Sequence, residues 1–536
     1  MAVGRADRQL RFDDASALLG ERLAEGTVYQ LLAREGDRLF PDDYLADLFT
    51  DSAKGRPTVP ARVVCTVMLL QAHEGLSDRE AVDRLAFDLR WKAAAGLAVD
   101  ADAFHPTVLV GVRNRLRRSQ RPRRLFDDVT VVARRAGLLR GRRRVIDSTP
   151  LYDSVSTQDT VTQLRAAIRK LLMAADRLGE STLAVQVRSV LARDDDYAAP
   201  GKPPCDWDDP AAREALVDAL VRDCQAVLGV LHGRELSPPL AEAATLLALV
   251  TGQDVEQGED GIFRIARRVA RDRIISTVDP EARHGHKSRN RTFDGYKTHL
   301  AADPDDELIT EVTVSAANVP DRDAVDELIA ADNAVNDHPA ELDQAQPDGF
   351  EVFGDSAYAD ADTLERLGEA GHQMRAKVPP ARNRSGRFSK DDFDIDLSRG
   401  EATCPVGNTA PITPARGGGG KVSFGRFCGS CPLRAQCTAA KAGRGIAIHR
   451  REATLQAARA AQKDPAWREA YRANRPTAER KIAHVVRRAW GGRKARCRGK
   501  TRILTDVLTR AAVVNLARLA VLGLRHAPAG WAVAPR

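Results

Sequence analysis

Three acidic residues that lie far apart in the chain stand in contexts that suit a metal-dependent site. Asp147 follows β-branched residues, Asp355 follows a short apolar stretch, and Glu479 lies near the start of a basic segment at 475–482. Carboxylates mounted on strands and helices are held in place by the backbone, and their oxygens are ligands that Mg²⁺ prefers. Two such ions, about 3.5–4 Å apart, activate the attacking oxygen and stabilise the leaving oxygen in phosphodiester cleavage. The three acids therefore predict a two-metal site for phosphodiester chemistry.

Each acid also has a competing interpretation. Asp153 lies in the loop expected after the first strand, and we prefer Asp147 because it should end that strand. Asp355, within Gly-Asp-Ser, equally suits a turn residue that caps a following helix. Glu469 is the alternative to Glu479 on the same helical segment.

Basic residues cluster near two of these acids. The chain has 82 basic and 74 acidic residues, a net charge of +8. Between Arg113 and Arg144 there are thirteen Arg against Asp127 and Asp128, and residues 475–502 hold eleven Lys or Arg against one Glu. Such clusters are typical of proteins that bind polyanions. The alternative is a solvated helix face laced with salt bridges.

The sequence predicts neither a secretory signal nor a membrane span. Residues 1–12 are polar and charged, and the longest apolar run, 511–524, is interrupted by Asn515 and Arg518 and is too short to cross a bilayer. We therefore expect an intracellular, cytoplasmic protein. Its eight Cys should then be thiols or metal ligands rather than disulfides.

Residues 1–125 have the periodicity of short helices. One is predicted over 60–73, the next opens at a capping box that starts at Ser77, and a third opens at Pro106-Thr107 and ends in an Arg-rich turn. Two short helices followed by a basic one suit a DNA reader of the helix-turn-helix type. A plain helical bundle that serves packing or dimerisation is the alternative.

The middle of the chain predicts a mixed α/β domain. A strand at Asp147 within 140–158 is followed by a helical segment, 159–279, and then by a basic loop at 280–291. A hairpin of 296–300 with 308–314 and further strands and helices complete the region 280–380. Lys297 and His299 lie on the strand expected beside Asp147, where they suit either DNA-backbone contacts or sheet packing.

Four cysteines lie in the next region, 381–450, of which 382–420 reads as irregular and 417–420 as a flexible Gly linker. The pair Cys428-x-x-Cys431 has the spacing of a zinc knuckle, with Cys404 and Cys437 as candidate partners and His449 as a spare. One structural Zn²⁺ is one interpretation, and a set of buried thiols is the other. A long helical segment and a final apolar helix, expected to pack on the sheet, fill 451–525.

The order of four motifs resembles that of the DDE transposases of bacterial insertion sequences. The motifs are "VIDST" with Asp147, "FDGYKTH" at 293–299, "GDSAYAD" with Asp355, and "RPTAERKIAH" with Glu479. The resemblance implies a ribonuclease H-like mixed five-stranded sheet behind an N-terminal helical domain. Residues 159–279 would then be a helical insertion after the first strand, and 381–450 a Cys-rich insertion before the last catalytic helix.

The resemblance also implies a reaction. Asp147, Asp355 and Glu479 would hold two Mg²⁺ ions, replaceable by Mn²⁺, for cleavage at the element ends and strand transfer. The DNA partners would be the terminal inverted repeats and the target duplex, bound by a homodimer near the nucleoid. The expected DNA-binding residues are Arg113, Arg117, Arg118, Arg142, Arg143, Lys297, Arg475, Arg480, Lys481 and Arg487.

The chain departs from the family pattern around the third acid. Tyr471 lies one residue too far upstream of Arg475, and Val486 stands where the family has Lys. Two other functions remain open on the residues alone. One is a ribonuclease H-like DNA nuclease without strand transfer, and the other is a catalytically inactive DNA-binding derivative.

Overall fold

A computed structural model gives the architecture of the chain. It describes residues 4–5, 13–19, 22–49, 57–195, 197–268, 270–288, 290–336, 349–381, 386–487 and 492–535.

Short helices form the N-terminal region, as the sequence predicts. The capping box is present: the Ser77 hydroxyl accepts the Glu80 N–H (3.3 Å), and the Glu80 carboxylate accepts the Ser77 N–H (2.7 Å). The third predicted helix also begins at Thr107 and ends in its Arg-rich turn. The helices are α1 (Ala15–Leu19), α2 (Val28–Leu39), α3 (Ala61–Glu74), α4 (Asp78–Phe87), α5 (Leu89–Ala95), α6 (Thr107–Arg118) and α7 (Arg124–Arg135).

A mixed sheet lies at the centre of the molecule. Its order is β6-β5-β1-β7-β8, with β4 paired to the start of β5. The contacts β6–β5 and β5–β1 are antiparallel, whereas β1–β7 and β7–β8 are parallel. The elements are β1 (Arg143–Tyr152), β4 (Arg283–Ser288), β5 (Arg291–Asp303), β6 (Leu308–Ala316), α12 (Val325–Asn336), β7 (Glu351–Phe353), α13 (Ala361–Glu369) and β8 (Gln373–Arg375).

Successive residues of β1 point to opposite faces of the sheet and pack in two different hydrophobic cores. Val145 packs with the N-terminal helices and the last helix of the chain, whereas Ile146 packs on the opposite face with α12 and α13. Both are fully buried, as expected for a strand covered on both faces. The N-terminal helices and the sheet therefore share one hydrophobic core.

Two sequence predictions about these strands are wrong. The first strand does not end at Asp147, because β1 continues to Tyr152 in antiparallel pairing with β5. Pro150 is tolerated there because the pairing with β7 stops at Val145, so that one edge of β1 needs no N–H at that position. The predicted basic loop also contains a strand, since Arg283–Ser288 pairs with the start of β5.

Helices with a separate hydrophobic core follow β1. They agree with the helical segment predicted over 159–279, and they pack around one hydrophobic cluster. The elements are α8 (Thr160–Arg177), α9 (Ser181–Ser189), α10 (Pro210–Leu231), α11 (Pro238–Gln253), β2 (Val255–Gln257) and β3 (Phe263–Ile265).

The Cys-rich region forms an antiparallel sheet in the order β13-β12-β11-β10-β9, so the prediction of irregular structure is wrong. The predicted Gly linker is instead a tight turn between β11 and β12, in which Gly418 and Gly419 have φ of 83° and 68°. The elements are β9 (Asp394–Asp396), β10 (Glu401–Thr403), β11 (Thr409–Pro414), β12 (Gly420–Ser423), α14 (Gly425–Cys428), α15 (Arg434–Cys437) and β13 (Gly445–Ile448).

The C-terminal part returns to the central sheet. The predicted long helix is broken into α16, α17 and α18, and α19 packs on β6, as predicted for the final helix. Among the described residues, we find no helix with the length and apolar character needed to cross a bilayer. The elements are α16 (Glu452–Ala461), α17 (Pro465–Asn474), α18 (Pro476–Val485), α19 (Lys500–Val521), β14 (Arg525–Ala527) and β15 (Gly530–Ala532).

Candidate active site

Asp147 and Asp355 lie at the same level of two neighbouring strands. The last parallel pair of β1 and β7 joins Val145 to Phe353, and each Asp follows its strand partner by two residues. Because side chains alternate along a strand, the Asp147 carboxylate leaves the face of β1 that α18 and α19 cover, whereas Asp355 lies two residues beyond the end of β7. The two carboxylates are within electrostatic reach, since the pKa of Asp147 is raised mainly by burial and to a smaller extent by the charge of Asp355.

Arg475 binds the carboxylate of Asp147 directly. Its Nη2 lies 2.7 Å from Asp147 Oδ2, and its Nη1 donates to the Ile146 carbonyl at 3.2 Å. The other carboxylate oxygen accepts the Ser148 N–H at 2.8 Å. The side chains of Asp147 and Arg475 are only 13% and 11% exposed. Burial raises the pKa of Asp147, and Arg475 and Ser148 oppose that rise only in part.

Asp355 caps a short 3-10 turn at Ser356–Tyr358 through a hydrogen bond from the Ala357 N–H to its Oδ1 (2.8 Å). The competing interpretation of this residue as a turn cap is therefore correct. The cap uses only Oδ1, so it is compatible with a role of the Asp355 carboxylate in metal binding.

Helix α17 is fastened to the end of β7. The Tyr471 hydroxyl donates to the carbonyl of Gly354, the residue before Asp355, at 3.0 Å. The Tyr471 ring stacks on Trp467 with centroids 5.1 Å apart, and the Lys377 ammonium lies 5.1 Å from its centroid. Tyr471 and Arg475 together therefore join one helical segment to both acid-bearing strands.

Tyr471, Arg475 and Glu479 follow one another at intervals of four residues across the junction of α17 and α18. Residues four apart share a helix face, so the extra residue relative to the family pattern does not remove Tyr471 from the site. Glu479 itself is exposed in the first turn of α18. Among the described residues, no three His, Cys, Asp or Glu side chains stand together in a ready coordination group.

The two alternative acids lie elsewhere. Asp153 is six residues beyond Asp147 along an extended chain, about 20 Å away at the usual rise per residue. Glu469 precedes Tyr471 by two residues and therefore points to another side of α17. Of the candidate acids, the structure brings Asp147 and Asp355 together and leaves Glu479 one turn beyond Arg475.

A polar network that the sequence did not predict lies on the opposite face of β1. Ser148 Oγ and Lys297 Nζ both bind Asp321, at 2.7 Å each, and His299 Nε2 lies 2.7 Å from Ser315 Oγ. Lys297 also donates to the Val319 carbonyl. The local sequence gives one cue to the role of Asp321, which is its position in a Pro-Asp pair before a helix. Lys297 and His299 thus lie behind the strand that carries Asp147.

Several predicted DNA-binding residues are held in ion pairs within the chain. Arg113 binds Asp78 and Arg143 binds Asp305, while Arg480 and the buried Lys481 bind Glu307 at 2.7 and 3.3 Å. Arg142 donates to the Gly349 carbonyl, and Arg117 binds Asn114. Arg118 is exposed at the end of α6, and Arg487 lies just beyond α18.

The four cysteines Cys404, Cys428, Cys431 and Cys437 line one small cavity.

Comparison with known families adds two matches. A family model described as a transposase DDE domain matches residues 403–520, which include Arg475, Glu479 and the four cysteines. A second, described as transposase domain (DUF772), matches residues 20–115, which include α2 to α5. The search against curated proteins and the search against solved structures returned no match. Two transposase models thus match the N-terminal helices and the region of the third acid, and the chain is a DDE transposase of an insertion element.

Proposed function

We propose that this transposase cuts DNA at the ends of its element and joins the freed 3′-OH to target DNA by metal-dependent phosphodiester chemistry. The observation that carries the proposal is the proximity of Asp147 and Asp355 at neighbouring strands, with Asp147 bound by Arg475 from the helical segment that also bears Glu479.

The sheet topology supports a ribonuclease H-like core. An antiparallel hairpin beside β1, followed by two parallel strands on its other edge, is the arrangement that the resemblance implies. Residues 159–279 and 381–450 would then be insertions, because each has a hydrophobic cluster separate from that of the sheet.

The donor set suits Mg²⁺ or Mn²⁺, since it consists of carboxylate oxygens. Asp147, Asp355 and Glu479 would hold the ions, which supply the charge that activates the attacking oxygen and stabilises the leaving one. Arg475 fits such a site as well: its guanidinium now neutralises Asp147, where a bound cation would do the same. With a cation bound to Asp147, the Arg475 guanidinium would be available to bind a phosphate of the DNA.

Exposed basic residues supply the DNA contacts in this proposal. Arg143 and Arg480 are 44% and 48% exposed in their ion pairs with acidic neighbours. Surface ion pairs contribute about 0–1 kcal/mol, so a DNA phosphate can compete for these side chains. Arg118, exposed at the end of α6, is a third candidate for such a contact. We leave Lys481 out of the set because it is 2% exposed.

Two element ends cut together would require two copies of the chain.

The test is an assay of the purified chain on duplexes taken from the DNA that flanks its gene, with Mg²⁺. We expect Asp147→Asn to lower cleavage by at least about 10³-fold, since the metal site supplies most of the electrostatic stabilisation. Asp153→Asn is the matched control and should stay within about threefold of the wild type, because Asp153 lies about 20 Å away. Equal cleavage by Asp147→Asn and the wild type would disprove the assignment.

A labelled duplex with a ready 3′-OH end separates transfer from hydrolysis. A transposase joins the label to a target plasmid, whereas a nuclease without strand transfer only shortens the duplex. DNA binding in a mobility-shift assay, with neither product at any Mg²⁺ or Mn²⁺ concentration, would identify an inactive binding derivative.

A further inference from the structure

Four cysteines from separate parts of the Cys-rich sheet surround one cavity. Cys404 lies in the turn between β10 and β11, Cys428 ends α14, Cys437 ends α15, and Cys431 lies between the two helices. The cavity has a volume of about 20 Å³, room for one small ion or water and too little for an organic ligand.

The turn that carries Cys404 is closed by its own backbone. The Cys404 N–H donates to the Asn408 carbonyl (2.9 Å), and the Gly407 N–H donates to the Cys404 carbonyl (2.8 Å). A tight hairpin turn with one Cys, facing a Cys-x-x-Cys segment, is an arrangement that suits two halves of a tetrahedral zinc site.

The surroundings of the thiols suit negatively charged sulfur. The backbone N–H of Arg444 donates to Cys428 Sγ at 3.4 Å, and the side chains of Arg434 and Arg444 also line the cavity. Gly443 brings its loop against Cys428: at φ 84°, a Cβ here would lie 3.2 Å from Cys428 Sγ. Donors and cations of this kind stabilise bound thiolates and fix their orientation.

The thiols also interact with one another. Burial raises the pKa of Cys437, Arg444 opposes that rise, and the neighbouring Cys428, Cys431 and Cys404 add to it. These interactions place the four sulfur atoms within electrostatic reach of one another around the same cavity.

We propose that Cys404, Cys428, Cys431 and Cys437 bind one Zn²⁺ as a tetrathiolate that stabilises the Cys-rich sheet. His449, the other candidate ligand, is excluded because it is exposed beyond β13 and its Nδ1 accepts the Arg451 N–H at 3.1 Å. The thiols line the cavity without converging on one point, so metal binding in this proposal requires their side chains to rotate until each sulfur lies about 2.3 Å from the ion.

The size of this unit explains why a metal is needed. Residues 386–450 have a small hydrophobic cluster around Phe393, Val422 and Phe424. Units below about 70–80 residues rarely build a sufficient core without a disulfide or a metal. The sheet is tied to the rest of the chain by ion pairs of Lys390 with Glu452 and of Arg450 with Asp362. Loss of the metal should therefore unfold the Cys-rich sheet and leave the central sheet folded.

The experiment measures metal content and Co²⁺ spectra of the full-length chain. We expect one zinc per chain, and after Co²⁺ exchange a thiolate-to-cobalt charge-transfer band and the visible spectrum of a tetrahedral site. Cys428→Ser and Cys437→Ser should lose the zinc and become sensitive to proteolysis within 386–450. Cys205→Ser, His449→Ala and Asp147→Asn are controls that should each keep one zinc.

Because the wild-type spectrum needs no variant, misfolding of a Cys variant cannot hide the answer. Metal-free wild-type protein whose four thiols react equally with and without added Zn²⁺ would overturn the proposal. Two disulfides among these residues, bound iron in place of zinc, or zinc lost on His449→Ala would overturn it as well.

Discussion

Arg475 is the residue through which the two halves of the candidate site meet. It comes from the end of the chain, yet it binds both the Asp147 carboxylate and the backbone of β1. A planar guanidinium can make these contacts together, which a Lys ammonium cannot reproduce. The family resemblance named Arg475 as a DNA-binding residue, but only the fold shows that its partner is Asp147.

His299 gives a pH-dependent prediction at the same scale. Burial lowers its pKa to about 4, against an ordinary value of 6.5. Between these values the unfolded state binds a proton that the folded state does not, so the free energy of unfolding falls as pH falls from about 6.5 to 4, by about 3 kcal/mol in total. We expect His299→Gln, which can keep a hydrogen bond to Ser315, to remove this component.

The measurement is urea unfolding of both proteins between pH 7 and pH 4.5. As the pH falls, the free energy of unfolding of the wild type should decrease more than that of the variant. Asp303, whose pKa burial raises to about 6, changes stability in the opposite sense but is present in both proteins and cancels. Parallel pH profiles would show that His299 does not titrate as described.

At the scale of elements, α19 completes the hydrogen bonding of β6. Within the described sheet β6 pairs only with β5, and the side chain of Asn515 binds both the N–H and the C=O of Ile309, at 2.8 Å each. Asn515 is 1% exposed. One side chain thus supplies the backbone partners that an edge strand lacks.

Replacement of Asn515 by Leu should leave two buried backbone groups without partners. Each costs about 1–3 kcal/mol, so we expect the free energy of unfolding to fall by about 2–6 kcal/mol. Urea unfolding of Asn515→Leu measures the loss. Val521→Ala, at an exposed position of the same helix, should change stability by less than about 0.5 kcal/mol. Similar values for the two variants would contradict this account.

Elements with strong local signals were predictable, and those that depend on distant pairing were not. The caps and periodicity of α3, α4 and α6 are local, and so is the run that forms β7. The short strands β9 and β10 have three residues each and exist only through their neighbours. In the candidate site, the local contexts of Asp147 and Asp355 predicted that each accompanies a strand. The parallel register that aligns them could not be read from either segment.

At the scale of the whole molecule, two regions relate differently to the central sheet. The helices between β1 and β4 have their own core, and the ends of this region meet, since the Gln158 N–H donates to the Ile275 carbonyl at 2.8 Å. The N-terminal helices instead share the core of the sheet and are tied to it by the ion pair of Arg123 with Glu311.

This difference predicts unequal effects of two deletions. Replacing residues 160–273 with about four Gly/Ser residues should leave a chain that unfolds cooperatively, because the joined ends already lie close together. Removal of residues 1–125 should prevent cooperative unfolding, because it exposes the apolar face of the sheet. Circular dichroism melting of both variants is the test. If only the variant that lacks residues 1–125 melted cooperatively, the prediction would be wrong.

The common core of the N-terminal helices and the sheet has a consequence for where the enzyme cuts. Two parts that share buried side chains cannot pivot against each other as separately folded modules joined by a linker can. If α6 contacts the element end, the distance between the base pairs that the protein binds and the phosphate that it cleaves is fixed. The number of base pairs between the recognised sequence and the cut would then be set by the packing of the shared hydrophobic core.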